Sequence, residues 1–258
     1  MPAGPRASRH SLPARLAAAG RAGYDGIWLH LRDYAQQRAA GYGDADLAAM
    51  LGDAGMVLAG VEFLTGWDGE DAAATPDEDL VWRMADAFGP VPLSVGAFGA
   101  SGDYHQLAAH FTALAARAAA HGVPLGLEIV PWSRVPDLQI AGALLDLVPE
   151  AGLVIDSWHV FRGGIDLAAL ARLPAHRIMA IQINDALAAP RLELAQDTLY
   201  RLSCGAGELP LADFVRALRQ SGCRVPLSVE IISPELAALE LDDAATASMR
   251  GVAALSRL

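Results

Sequence analysis

The sequence lacks the features that would tie it to a membrane, a polyanion or an oxidising compartment. Its apolar stretches are interrupted by Gly, Pro or charge before they reach the ~20 residues that cross a bilayer. Basic residues form no run and the net charge is −11, so there is no concentrated positive face for phosphates. Nucleic acid and membrane are excluded as expected partners. Cysteine is scarce: Cys204 and Cys223 make no disulfide framework, and their spacing is no metal motif. Reduced thiols are expected. The N-terminal stretch MPAGPRASRHSLPARL has no continuous apolar core of the secretory kind, which gives a cytoplasmic location as the expectation. No Pro/Ser-rich linker, composition break or literal repeat divides the chain. No Gly-rich phosphate loop follows the first strand, which argues against a doubly wound open sheet.

What the chain does have is apolar substance: 53% of its 258 residues are hydrophobic, enough for a large core. Short apolar runs rich in Ile and Val, bounded by Gly and Pro, alternate with helix-like segments, which is how buried parallel strands read. The pattern predicts a short strand near residues 7–10 and a helix over 11–22 with Ser11 as cap and Pro13 early. A strand over 24–31, a helix over 44–54 opened by an Asp cap and a strand over 57–64 follow. A helix over 75–88, a strand over 91–98 and an alanine-rich helix over 103–121, stopped by Gly122, come next. The strand to Glu128, a helix over 135–147, the strand to Asp156, a short helix after Gly164 and the strand to Asn184 continue the alternation. A long connection over 186–208, a helix over 209–221, a strand over 225–232 and a helix over 242–257 close it. About eight strand–helix units of roughly thirty residues predict one α/β domain over 1–258, a single (β/α)8 TIM barrel.

Four of these strands carry a polar residue that packing alone would not select: Glu128, Asp156, Gln182 and Glu230. Glu128 and Asp156 are 28 residues apart, Asp156 and Gln182 26, and Gln182 and Glu230 48, the last gap being one unit lengthened by the long connection. The four are therefore expected on consecutive strands 5 to 8, around one half of the barrel mouth, where active sites sit. Converging carboxylates repel unless a cation or a shared proton compensates them. Three carboxylates and an amide oxygen suit a hard cation, Mn²⁺ or Mg²⁺ before Co²⁺ or Zn²⁺. The alternative is a buried polar network satisfied within the protein. His159, just past a strand end, is either a packed core histidine or a group that holds a substrate oxygen or moves a proton. Glu62 is a candidate for substrate contact or for a salt bridge. His30 and His10 are placed near the mouth, and Trp67, Trp132 and Trp158 are candidate pocket walls.

The motifs LEIVPW, DSWH, QINDA and VEI, in this order, resemble the xylose-isomerase-like TIM barrels, the sugar phosphate isomerase/epimerase superfamily. The resemblance runs from the GYDGIWL strand to the end, and Asp156-x-x-His159 is its most specific piece. It implies that Glu128, Asp156 and Glu230 bind one divalent metal together with the residue at Gln182. That position is commonly His in the sugar epimerases, and glutamine there is similar to the 3-dehydroshikimate dehydratase branch. It also implies acid/base roles for Glu128 and Glu230. The stretch from Arg201 to Glu208 is similar to the family's Arg-x-x-Pro-Gly-Glu-Gly-Glu loop beside the substrate pocket, with Cys204 for Pro and Ala206 for Glu. Arg201 is on that basis a substrate-binding candidate.

The expected function is a metal-dependent isomerase or epimerase of a small polyhydroxylated carbonyl compound, acting by proton abstraction next to the carbonyl. A dehydratase of a cyclic keto-polyol, of the 3-dehydroshikimate or inosose kind, is the alternative that Gln182 favours. A barrel that binds a ligand without catalysis is the remaining alternative. The endonuclease branch of the fold needs more histidine ligands and a basic face, and the chain has neither. Association into a homo-oligomer through outer helices is compatible with the fold.

Overall fold

The computed structural model describes residues 8–69, 75–99 and 102–258. Within them the apolar runs become seven parallel strands: β1 (Gly26–His30), β2 (Val57–Leu64), β3 (Leu93–Val95), β4 (Leu125–Glu128), β5 (Gly152–Asp156), β6 (Ile178–Ile183) and β7 (Leu227–Val229). They pair in chain order from β1 to β7 in one sheet, which curls into a nearly closed barrel. Every residue of β4 and β5 is buried, as happens when helices cover one face of a strand and the barrel interior the other.

The helices are α1 (Leu12–Ala22), α2 (Leu31–Ala39), α3 (Asp44–Asp53), α4 (Pro76–Phe88), α5 (Tyr104–Ala120), α6 (Leu138–Leu145), α7 (Ser157–Arg162), α8 (Leu167–Leu170), α9 (Leu194–Asp197), α10 (Leu211–Gln220), α11 (Pro234–Ala238), α12 (Leu241–Met249) and α13 (Val252–Leu255). Their starts are chemically marked. Ser11, Thr75, Asp103, Asp137, Asp156 and Asp166 each cap a helix by accepting a hydrogen bond from a backbone N–H of its first turn. None of the helices among the described residues is long and apolar enough to cross a membrane.

The structure departs from the sequence-based expectation in places. Of the short strand expected at 7–10, residue 7 lies outside the described residues and 8–10 form a bend. The described barrel therefore has seven strands, and the four polar positions fall on or just beyond its last four. Helix α3 is capped by Gly43, not by an aspartate; Asp46 reaches back to accept from Gly43 N at 2.6 Å. Helices α2 and α7 were not expected. Trp67 is no pocket wall: it is fully buried in the core, its ring 5.7 Å from that of Phe111.

Candidate active site

Strand register brings the polar positions together. Asp156 pairs directly with Gln182, Glu128 with Val154, and Gln182 with Ser228. Strand β7 stops at Val229, so Glu230 stands one residue beyond it, its N–H still bonded to Ile183 O at 3.3 Å. Glu62 lies in β2, opposite His30 of β1. Its Oε2 accepts from Gln182 Nε2 at 3.4 Å, a contact across the barrel. Glu62, Glu128, Gln182, Glu230, His159 and Arg201 all line a single cavity of about 710 Å³, and Asp156 is buried beneath it.

Asp156 shows how local sequence builds the site. Its extended backbone ends β5, and its Oδ1 accepts from His159 N at 3.1 Å, which caps α7. The Asp-x-x-His motif is thus a helix start folded over the end of a strand, with His159 in the first turn. Nε2 of His159 lies 3.4 Å from Glu128 Oε1 and 3.4 Å from Arg201 Nη2. Its ring meets Trp132 and Trp158 edge-to-face at 5.4 and 5.3 Å. Trp132 lines the cavity, whereas Trp158 is fully buried behind it. His30 also lines the cavity, but its Nδ1 is engaged in capping α2, and burial holds its pKa below the usual value. His10 is not among the lining residues; its ring accepts from Arg9.

Arg201, the substrate-binding candidate, lines the cavity from a buried position. It is only 2% exposed. Its Nη1 donates to Asp156 Oδ2 at 3.1 Å and to Glu230 Oε2, and its Nε and Nη2 donate to Thr198 Oγ1 at 3.3 and 3.0 Å. Burial alone would lower the guanidinium pKa, but the carboxylates of Asp156 and Glu230 override it and the net shift is upward. The carboxyl of Glu62 is pushed well above its usual range, first by burial and then by the neighbouring charges of Glu230 and Glu128. Glu230 is also raised, by burial that its ion pair with Arg201 only partly offsets.

Side chains that sequence reasoning passed over complete the site. Asn184 Nδ2 donates to Asp156 Oδ2 at 3.0 Å, and Ser157 Oγ bonds both the N–H and the C=O of Asn184. Ser94 Oγ donates to Glu128 Oε2 at 3.1 Å. Asp185 organises the loop that carries Arg201: its carboxylate accepts from the N–H groups of Ala186, Gly205, Gly207 and Leu209 at 2.8–3.1 Å. Gly207 is required there, because a Cβ would stand 2.4 Å from Asp185 Oδ1. The only signal in the sequence was the pair of polar residues, Asn184-Asp185, directly after an apolar strand.

The donor chemistry fits a divalent cation. Glu128, Asp156 and Glu230 bring three carboxylates against the single guanidinium of Arg201, and Gln182 Oε1 is buried with no hydrogen-bond partner. An orphaned carbonyl oxygen beside carboxylates is what a hard cation satisfies. As they stand, no three His, Cys, Asp or Glu side chains among the described residues form a ready-made metal cluster; Arg201 is the cation that Asp156 and Glu230 share.

Comparison with known proteins finds relatives in sequence and in fold. It is 28% identical over 236 residues to a 3-dehydroshikimate dehydratase of Pseudomonas aeruginosa, covering 86% of this chain and 36% of that protein. A Pseudomonas putida protein of the same name is 27% identical over 233 residues, with the same coverages. The chain thus spans about a third of the length of these curated relatives. Among solved structures, a zinc-bound IolI protein superposes with a TM-score of 0.82 at 20% identity, over 96% of this chain and 93% of that one. The sequence model of the xylose isomerase-like TIM barrel matches residues 16–255, and the chain belongs to that family.

Proposed function

We propose that this barrel is a divalent-metal-dependent dehydratase of a cyclic keto-polyol of the 3-dehydroshikimate type. The observation that carries the reading is the buried, unpartnered Gln182 Oε1 on a residue that lines one cavity with Glu128 and Glu230; the names of the two curated relatives supply the substrate class. The chain has no lysine, all 19 of its basic residues being arginine, so an imine route to the carbanion is not open to it.

Glu128, Asp156, Gln182 and Glu230 would hold the ion. Bound there, a divalent cation supplies Lewis-acid polarisation of the substrate carbonyl, which acidifies the adjacent C–H. Glu128 takes that proton, and the C–H electron pair becomes the new C=C bond as the neighbouring C–O bond breaks. His159 protonates the departing hydroxyl, which leaves as water. The proton on Glu128 then returns to His159 across their 3.4 Å contact, restoring both groups. Phe63, Phe98 and Trp132 give the cavity an apolar wall that limits solvent around the ring.

The same pair of glutamates supports a second reading. With Glu128 and Glu230 in one cavity, a proton taken by one and returned by the other, with no bond to oxygen broken, makes an isomerase or epimerase. Incubation with 3-dehydroshikimate and Mn²⁺, Mg²⁺, Co²⁺ or Zn²⁺ separates the two. Loss of one water should give the aromatic 3,4-dihydroxybenzoate, seen by its ultraviolet absorbance and abolished in Glu128→Gln. No product with any metal, together with metal-dependent deuterium uptake by ketoses in D₂O, would replace the dehydratase by the isomerase. Absence of both would leave a ligand-binding barrel.

A further inference from the structure

The contacts of Arg201 bear on how the site takes up its ion. Nη1 of Arg201 bonds Asp156 Oδ2 and Glu230 Oε2, side chains on two different strand ends, as well as Glu230 O at 3.3 Å. Asp156 has little else to offer: Oδ1 is committed to His159 N, and Oδ2 also accepts from Asn184 Nδ2. A cation arriving at these carboxylates therefore meets the oxygens that Arg201 already holds.

We propose that Arg201 and the divalent ion compete for Asp156 and Glu230, so that metal uptake is an exchange in which one guanidinium gives way to one ion. This rests on the reading of the four residues as ligands. Arg201 must move as a side chain, because its backbone is pinned. Arg201 N donates to Ile232 O at 2.9 Å, and the flanking Leu202 makes paired backbone bonds with Asp185 at 2.7 and 2.9 Å. Thr198 Oγ1, which bonds Nε and Nη2 but not Nη1, is a pivot that the guanidinium keeps as Nη1 swings away. Arg201 is on this account a positioning residue for the metal. It compensates the carboxylates until the ion arrives, and it limits how tightly the ion is held.

Calorimetric titration of Mn²⁺ into the wild type and Arg201→Gln, with thermal melts of both, tests the exchange without reference to turnover. Removing the competitor should tighten Mn²⁺ binding by ~10-fold or more, the lower end of what close charge pairs contribute. It should also lower the melting temperature without metal, and widen the gap between melts with and without Mn²⁺. Arginine-selective ¹⁵N NMR of the wild type supplies the independent readout, with Arg201 assigned through Arg201→Lys. Diamagnetic Mg²⁺ should move the Arg201 guanidinium resonance, and this holds whether or not Arg201→Gln folds. Equal or weaker Mn²⁺ binding in the variant, or an unmoved resonance at saturating Mg²⁺, overturns the exchange and leaves the metal site intact. No Mn²⁺ binding by either protein removes the ligand assignment itself, and the exchange with it.

Discussion

Replacing Asp185 by alanine removes one acceptor from four backbone N–H groups at once. Oδ1 holds Ala186 N and Leu209 N at 2.8 and 3.0 Å, and Oδ2 holds Gly205 N and Gly207 N at 2.9 and 3.1 Å. A hydrogen bond to a charged group contributes about 1.5–3 kcal/mol, and a buried donor left bare costs a similar amount. Water can replace the carboxylate at the exposed Gly205 and the half-buried Gly207, but not at Ala186, which is 2% exposed. Counting the Ala186 bond as lost outright, the bonds to half-buried Gly207 and Leu209 as partly replaced by water and that to Gly205 as replaced, Asp185→Ala should destabilise by about 3–4 kcal/mol. For a chain of this size that lowers the melting temperature by about 10 °C. Asp185→Asn should lose nearly as much, because its amide would aim N–H groups at two other N–H groups. Glu208→Ala is the control: it removes one bond, to Ala188 N, from an exposed side chain, and should cost under about 1 kcal/mol. Urea unfolding of the three variants provides the measurement. A loss below about 1 kcal/mol for Asp185→Ala, with an unchanged slope, would refute the view that this carboxylate holds the loop.

Two further outcomes test the fold and the redox reading. Glu78 is fully buried, accepts from Arg117 Nε and Nη2 at 2.7 and 3.0 Å, and closes a capping box with Thr75 at the start of α4. Because Arg117 is partly exposed and keeps some hydration, Glu78→Gln should cost about 2–3 kcal/mol rather than the ~3–5 of a wholly buried pair; chemical denaturation showing no loss would count against the pair. Burial pushes the Cys204 thiol up to about 12, and Cys223 is 1% exposed. A disulfide reagent at neutral pH should label neither cysteine in the folded protein and both after unfolding. Fast labelling of Cys204 in the native state would contradict its burial.

The strands were legible in the sequence because barrel strands are covered on both faces and so appear as unbroken apolar runs. Val57–Leu64 was read to its ends from its Val- and Leu-rich run, although Gly60 and Glu62 interrupt it and only three of its eight residues are buried. Helix α2 was not, because LRDYAQQRA is mostly polar and buries only Leu31, Tyr34 and Gln37. Helix α7 was not, because six residues leave no period to detect; its cause is the Asp156 side chain capping it from the end of a strand. The one-unit spacing of Glu128, Asp156 and Gln182 conveyed which side chains share a rim. It did not convey depth. Arg201 reads as a loop arginine, and only the fold of 185–209 onto the barrel buries it against Asp156. Asn184 and Ser94 were unreadable as site residues because their partners lie 28 and 34 positions away.

The rim is unequal in its contents. Strands β4 to β7 supply Glu128, Asp156, Gln182 and Glu230, while β1 to β3 and the segments after them supply His30, Glu62, Phe63 and Phe98 to the same cavity. Among the side-chain hydrogen bonds described, Gln182–Glu62 and Ser94–Glu128 join the two halves of the site. On the proposed function, the candidate ligands come from residues 128–230 and much of the facing wall from 26–98, so substitutions at Phe63 and Phe98 should change which substrate fits while leaving the ligand set in place.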